Sequence, residues 1–112
     1  MIKFGTSGFR GIINESFTEE NVSKVAYALS QIIKNNKVKS PNVVIGYDNR
    51  LLGQDFANIF ANVLTHFEIN VTLFSKSVPS PLVAFLTKDF TNGVMITASH
   101  NPYNYNGIKI FL

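Results

Sequence analysis

Within Thr97-Ala98-Ser99-His100-Asn101-Pro102 a serine hydroxyl stands beside an imidazole, and Pro102 stiffens the exit of the segment. A nucleophilic oxygen next to a proton carrier admits two chemistries. One is acyl transfer by a serine hydrolase, but no Gly-x-Ser-x-Gly elbow surrounds Ser99, and adjacent Ser and His are not how a triad is usually built. The other is phosphoryl transfer. A phosphorylated serine carries about −1.5 to −2 charges near neutral pH, which Arg10 and Lys109 would offset if the fold brings them to one edge. His100 by itself is more often a hydrogen-bonded loop residue than a catalyst.

Two further clusters carry polar chemistry. Gly5-Thr6-Ser7-Gly8-Phe9-Arg10-Gly11 spaces three glycines so that backbone can approach a ligand, and adds two hydroxyls and a guanidinium suited to phosphate. No Gly-Lys-Ser/Thr follows, so it is not a Walker loop, and it does not lead from a strand into a helix as a dinucleotide fingerprint does. On spacing alone a plain glycine-rich turn accounts for it. In Tyr47-Asp48-Asn49-Arg50, the acid and the arginine read first as a structural pair that pins a loop against a sheet.

These clusters need elements to hold them. Short strands are expected at Ile2 to Phe4 and Gly11 to Ile13, followed by a capping box in Ser16-Phe17-Thr18-Glu19. Val22, Val25, Ala26, Leu29, Ile32 and Ile33 recur at helical spacing, and Asn35-Asn36 with Pro41 mark the stop. Val43 to Gly46 is a continuous apolar run of the kind that buried parallel strands show. A second helix is written in Phe56, Ala57, Phe60, Val63, Leu64 and Phe67. Ile69 to Phe74 reads as a strand, Pro79-Ser80-Pro81 opens a short helix through Leu82, Phe85 and Leu86, and strands follow at Val94 to Thr97 and Gly107 to Leu112. This alternation predicts a three-layer α/β/α domain with a mixed, mostly parallel sheet. Ligands of such sheets bind beyond the carboxyl ends of the strands, where both the Asp48 and the Ser99 clusters fall.

Composition narrows the classes. The chain has 112 residues, 46% of them apolar, the size of a single domain with one core. No apolar stretch approaches the roughly 20 residues of a membrane span, and no signal-peptide pattern opens the sequence. Cysteine is absent, which removes disulfides, thiolate metal sites and a thiol nucleophile. A cytoplasmic setting is the default. The net charge of +3 is modest, and its densest cluster, Lys34, Lys37 and Lys39, reads as a solvated helix end rather than a nucleic-acid footprint. Asn-x-Ser/Thr triplets at Asn14, Asn21 and Asn70 are chance matches in a chain with no export signal.

Taken together, Phe4 to Gly11, Gly46-Tyr47-Asp48-Asn49-Arg50, Thr97 to Pro102 and Tyr105-Asn106-Gly107-Ile108-Lys109 resemble four successive signatures of the alpha-D-phosphohexomutases, in order and at similar spacing. The resemblance runs almost end to end. It implies the phosphoserine-bearing first domain of a phosphoglucomutase or phosphomannomutase, which interconverts hexose 1-phosphate and hexose 6-phosphate through a bisphosphorylated sugar. Ser99 matches the phosphorylated residue, and Mg²⁺ would touch its phosphate. Lys109 matches a lysine given general acid or base duty, which requires surroundings that lower its pKa. Arg10 matches an arginine that steadies the reaction centre, and His100 a residue that contacts sugar or phosphate.

The sequence departs from the family pattern in Val78-Pro79-Ser80-Pro81, where Pro-Thr-Pro is commoner. It also departs at Ser7, where phosphoglucosamine mutases usually carry Asp. The family's run of alternating aspartates, its sugar-selecting loop and its terminal phosphate loop belong to three later domains. Residues 1–112 are therefore expected to be a C-terminally truncated piece of a four-domain parent, inactive alone. Its expected partners are a hexose phosphate, a sugar 1,6-bisphosphate as intermediate and activator, and the downstream domains, with no nucleic acid or membrane. Apolar surface uncovered by missing domains would drive self-association; a monomeric mass by light scattering at high concentration counts against that. The rival readings are a non-catalytic sugar-phosphate-binding or assembly module, which has no need of the nucleophile, and a serine hydrolase, which a phosphonylating probe would label at Ser99.

Overall fold

Two uninterrupted apolar segments set the centre of the molecule. In the computed structural model, which describes residues 8–98 and 101–111, Val43, Val44 and Ile45 lie in one strand and Val94, Met95 and Ile96 in its neighbour, all fully buried. The elements run β1 (Phe9–Ile12), α1 (Glu19–Asn35), β2 (Asn42–Tyr47), α2 (Gly53–His66), β3 (Asn70–Leu73), α3 (Ser80–Leu86), a 3₁₀ turn (Thr87–Asp89), β4 (Asn92–Ile96) and β5 (Tyr105–Phe111). The expected strand at Ile2 to Phe4 and the last residue, Leu112, lie outside the described residues.

The five strands are ordered β1-β5-β4-β2-β3. β2 pairs in parallel with β3 and β4, while β5 is antiparallel to both β4 and β1. Four strands thus point one way and β5 points against them, so the sheet is mixed and mostly parallel, as the alternation of elements implies. Successive side chains of a strand face opposite layers. Val43, Ile45, Val94, Ile96 and Ile108 pack with α1 and α2 on one side, and Val44 and Met95 pack with Val83 of α3 on the other. This is the α/β/α layering.

The helices follow the expected stripes with two local differences. Val22, Val25, Ala26, Leu29 and Ile33 of α1 are buried, but Ile32, at the border of the stripe near the helix end, is 57% exposed. The helix also starts later than a Ser16-to-Glu19 capping box requires. The chain is still turning at Asn14 to Phe17, where three amides converge on the Ile12 carbonyl. Thr18 is the N-cap instead, its hydroxyl accepting from the Asn21 amide at 3.1 Å. The strand expected from Gly11 begins at Phe9, because Phe9 pairs with Ile108 and fills the core with Phe17. The lysines at 34, 37 and 39 are all exposed, in and just after the last turn of α1.

Candidate active site

β4 delivers the chain to the sheet edge at Thr97 and Ala98, both buried. The Thr97 amide bonds to the Gly107 carbonyl at 2.9 Å, and the Thr97 hydroxyl donates to a carboxylate oxygen of Asp48, just past the end of β2. The other Asp48 oxygen accepts from the Arg50 amide at 3.0 Å, an Asx turn that aims the arginine. Ser99 and His100 lie outside the described residues. Immediately after them, the Asn101 amide donates to the Ala98 carbonyl at 3.1 Å, and the Tyr105 amide to the Pro102 carbonyl at 2.9 Å.

The Arg50 guanidinium reaches across from the β2 loop. Its Nη2 donates to the Asn101 carbonyl at 2.7 Å and its Nη1 to the Pro102 carbonyl at 2.8 Å, with the Tyr105 carbonyl at 3.4 Å. Its Nε stands 3.9 Å from Asp48 Oδ2, so the carboxylate does not occupy the fork. The loop-pinning reading of Asp48 and Arg50 is therefore what the hydrogen bonds show, and both residues also bond to the Thr97–Tyr105 segment.

Arg10 and Lys109 come from β1 and β5. Arg10 pairs with Gly107, and Lys109 lies two residues further along β5, so the two project from the same face of the sheet as diagonal neighbours. Such neighbours have Cα atoms roughly 7–8 Å apart, within reach of long side chains. Gly107 makes the crossing of Arg10 possible, since a Cβ there would come within 2.9 Å of Arg10 Cγ and 2.7 Å of the Phe9 and Thr97 carbonyl oxygens. Arg10 Nη1 donates to Asn101 Oδ1 at 2.9 Å. Its Nε is buried and has no hydrogen-bond partner among the described residues. A buried donor left unpaired is uncommon and calls for an acceptor.

A cleft of about 400 Å³ opens over the ends of β2 and β3, between Asp48–Asp55 and Ser75–Ser77, and includes neither Arg10 nor Lys109. Among the described residues no group of three His, Asp or Glu side chains could hold a metal ion, and no helix is long and apolar enough to cross a membrane.

A family-wide sequence profile described as phosphoglucomutase/phosphomannomutase, alpha/beta/alpha domain I, matches residues 1–112. The chain belongs to that family. Similar proteins include the phosphoglucomutase of Staphylococcus aureus strain USA300, 39% identical over 98% of this chain, and that of the bovine strain RF122, 37% identical over the same share. A crystal structure from Thermus thermophilus, of a protein provisionally named a phosphomannomutase, superposes with a TM-score of 0.92 at 36% identity and covers 98% of the chain. A Burkholderia thailandensis phosphoglucomutase/phosphomannomutase family protein, at 24% identity and a TM-score of 0.86, shares the fold. The chain spans 21% of the length of the Staphylococcus relatives and 25% of the Thermus protein.

As a phosphoglucomutase/phosphomannomutase domain I, the chain brings Arg10 and Lys109 to one face and ties Arg10 to the segment that carries Ser99 and His100. Two contributors lie outside the residues singled out from sequence as catalytic. Asn101 joins the Arg10 side chain to the loop, and Arg50 holds the loop's carbonyls. An Asp-x-Arg at a strand end is the visible signal for Arg50, whereas its acceptors are main-chain atoms that no residue type marks.

Proposed function

We propose that residues 1–112 are the phosphoserine-bearing first domain of a multidomain phosphohexomutase that interconverts hexose 1-phosphates and hexose 6-phosphates. The observation that carries this reading is the buried Nε of Arg10, unpaired among the described residues, beside the loop of Ser99 and on the same sheet face as Lys109. A cation with one donor held by Asn101 and another unclaimed is prepared for an anionic oxygen. Family membership supports the same chemistry.

In the proposed reaction a hydroxyl of the bound hexose phosphate attacks the phosphorus of phosphorylated Ser99. The bond from Ser99 Oγ to phosphorus breaks as Oγ takes up a proton from a general acid, a new oxygen–phosphorus bond forms on the sugar, and the sugar hydroxyl proton leaves to a base. The product is a hexose 1,6-bisphosphate and a free serine. After the sugar turns round, the other phosphoryl group returns to Ser99 and releases the isomer. Arg10 offsets the charge on the transferring group, and Lys109 clamps it. His100 contacts sugar or phosphate. Mg²⁺ bound at the phosphate on Ser99 would add charge neutralisation there.

The test is peptide mapping of the full-length protein after incubation with glucose 1,6-bisphosphate. The phosphoryl group is expected on Ser99, with slower uptake in folded Arg10→Ala and Lys109→Ala variants. A protein that takes up no phosphate, or carries it on another residue, overturns the proposal.

A further inference from the structure

We propose that Arg50 is a positioning residue for phosphoryl transfer, setting the conformation of the loop that carries Ser99 through the forked shape of its guanidinium rather than through its charge. The inference rests on the reading of Ser99 as the phosphoryl carrier. Three main-chain carbonyls, of Asn101, Pro102 and Tyr105, converge on two nitrogens of one side chain that is only 12% exposed. All three acceptors are neutral. The nearest described carboxylate, Asp48, stands 3.9 Å from Nε and spends one oxygen on the Arg50 amide and the other on Thr97.

Geometry explains why arginine serves here. A guanidinium presents five donors in one rigid plane, so Nη1 and Nη2 can serve two carbonyls while the plane stays fixed. A lysine carries its donors on a single rotatable nitrogen, which cannot occupy both places. Asn101 multiplies the effect. Its carbonyl is held by Arg50, its amide by Ala98, and its side-chain oxygen by Arg10. Displacing the Asn101 backbone would therefore shift the loop next to Ser99 and the acceptor that orients Arg10 together.

A displacement of about 1 Å at a reacting group costs about 10²-fold in rate. In the full-length protein, Arg50→Lys is thus expected to slow phosphoryl transfer from Ser99 to hexose phosphate about 100-fold in single turnover while KM for the sugar stays near the wild-type value, the sign of a lost transition-state arrangement. Amide hydrogen exchange at Asn101 and Tyr105 should quicken in the same variant. Arg50→Ala should behave alike and regain rate when guanidinium ion is added, whereas added ammonium should not help.

Transfer by Arg50→Lys at the wild-type rate would show that charge alone suffices and would overturn the proposal. So would slowed transfer with unchanged exchange at Asn101 and Tyr105, which would put Arg50 on the reacting atoms directly. Loss of the folded state in both variants would also overturn it, since a loop clamp leaves the core intact. Wild-type protein that takes up no phosphoryl group on Ser99 is a different result, and it removes the underlying function instead.

Discussion

Replacing Ser99 with alanine in the full-length protein is expected to abolish mutase turnover while leaving the thermal midpoint unchanged. The bonds that hold the loop run through Thr97, Ala98, Asn101 and Pro102, by main-chain atoms and by the Arg50 fork. None of those bonds uses the Ser99 side chain, so they remain when its hydroxyl is removed. The hydroxyl of Thr97, two residues away, cannot substitute, because it is buried and committed to Asp48. Loss of a covalent nucleophile elsewhere has cost on the order of 10⁶-fold in turnover, so the comparison is with a mock preparation rather than with a weakened enzyme. Steady-state assay with glucose 1-phosphate, together with a melting curve, checks both halves. Turnover above the mock preparation would move the phosphoryl carrier to another residue.

The largest expected effect on stability is at Phe17. Its side chain is fully buried, stacked on Phe9 with ring centroids 5.5 Å apart and edge-on to Phe56 at 4.7 Å. The ring thereby joins β1, the turn after it and α2. Truncating a buried phenylalanine to alanine costs about 3–5 kcal/mol, counting both lost burial and the cavity left behind. A domain has about 5–15 kcal/mol in total, so Phe17→Ala should lower the thermal midpoint by roughly 10–20 °C. Phe85→Ala is the control, since that ring is 61% exposed and stands beside the Lys88 ammonium. Circular dichroism melts of the 112-residue chain decide the matter, and equal midpoints for the two variants would refute the central place given to Phe17.

The elements legible in the sequence are those whose signal is local. The apolar run at Val43 to Ile45 and the stripe of Phe56, Ala57, Phe60 and Leu64 each announce burial within a few residues, and each is buried. Capping is less legible: the pattern from Ser16 to Glu19 points to Ser16, yet Thr18 caps α1. The turn that packs Phe17, whose amide bonds back to the Ile12 carbonyl, delays the helix by two residues. Strand order is not legible at all: the insertion of β5 between β1 and β4 depends on pairings between distant segments.

The same division holds in the site. The serine segment, Arg10 and Lys109 are recognisable as residue types, and the structure sets Arg10 and Lys109 on one face. The role of Arg50 escapes a reading of side chains because its partners are carbonyls 51 to 55 positions away, and any residue has a carbonyl. Asn101 is visible only as part of the serine motif. Its bond to Arg10 spans 91 positions.

That span has a consequence for how the protein comes into being. The first described strand makes its partner only when the last one arrives, since β1 is bonded to β5 and to no other described strand. During synthesis the earlier strands and helices can begin to collapse, but Arg10 has neither Gly107 to lie across nor Asn101 to bind until these late residues have left the ribosome. Closing such a long loop is slow compared with forming a helix or hairpin. The arrangement around Arg10 is thus acquired late in the folding of this domain, and a nascent chain halted before β5 would lack Lys109 and leave Arg10 without the strand it lies across.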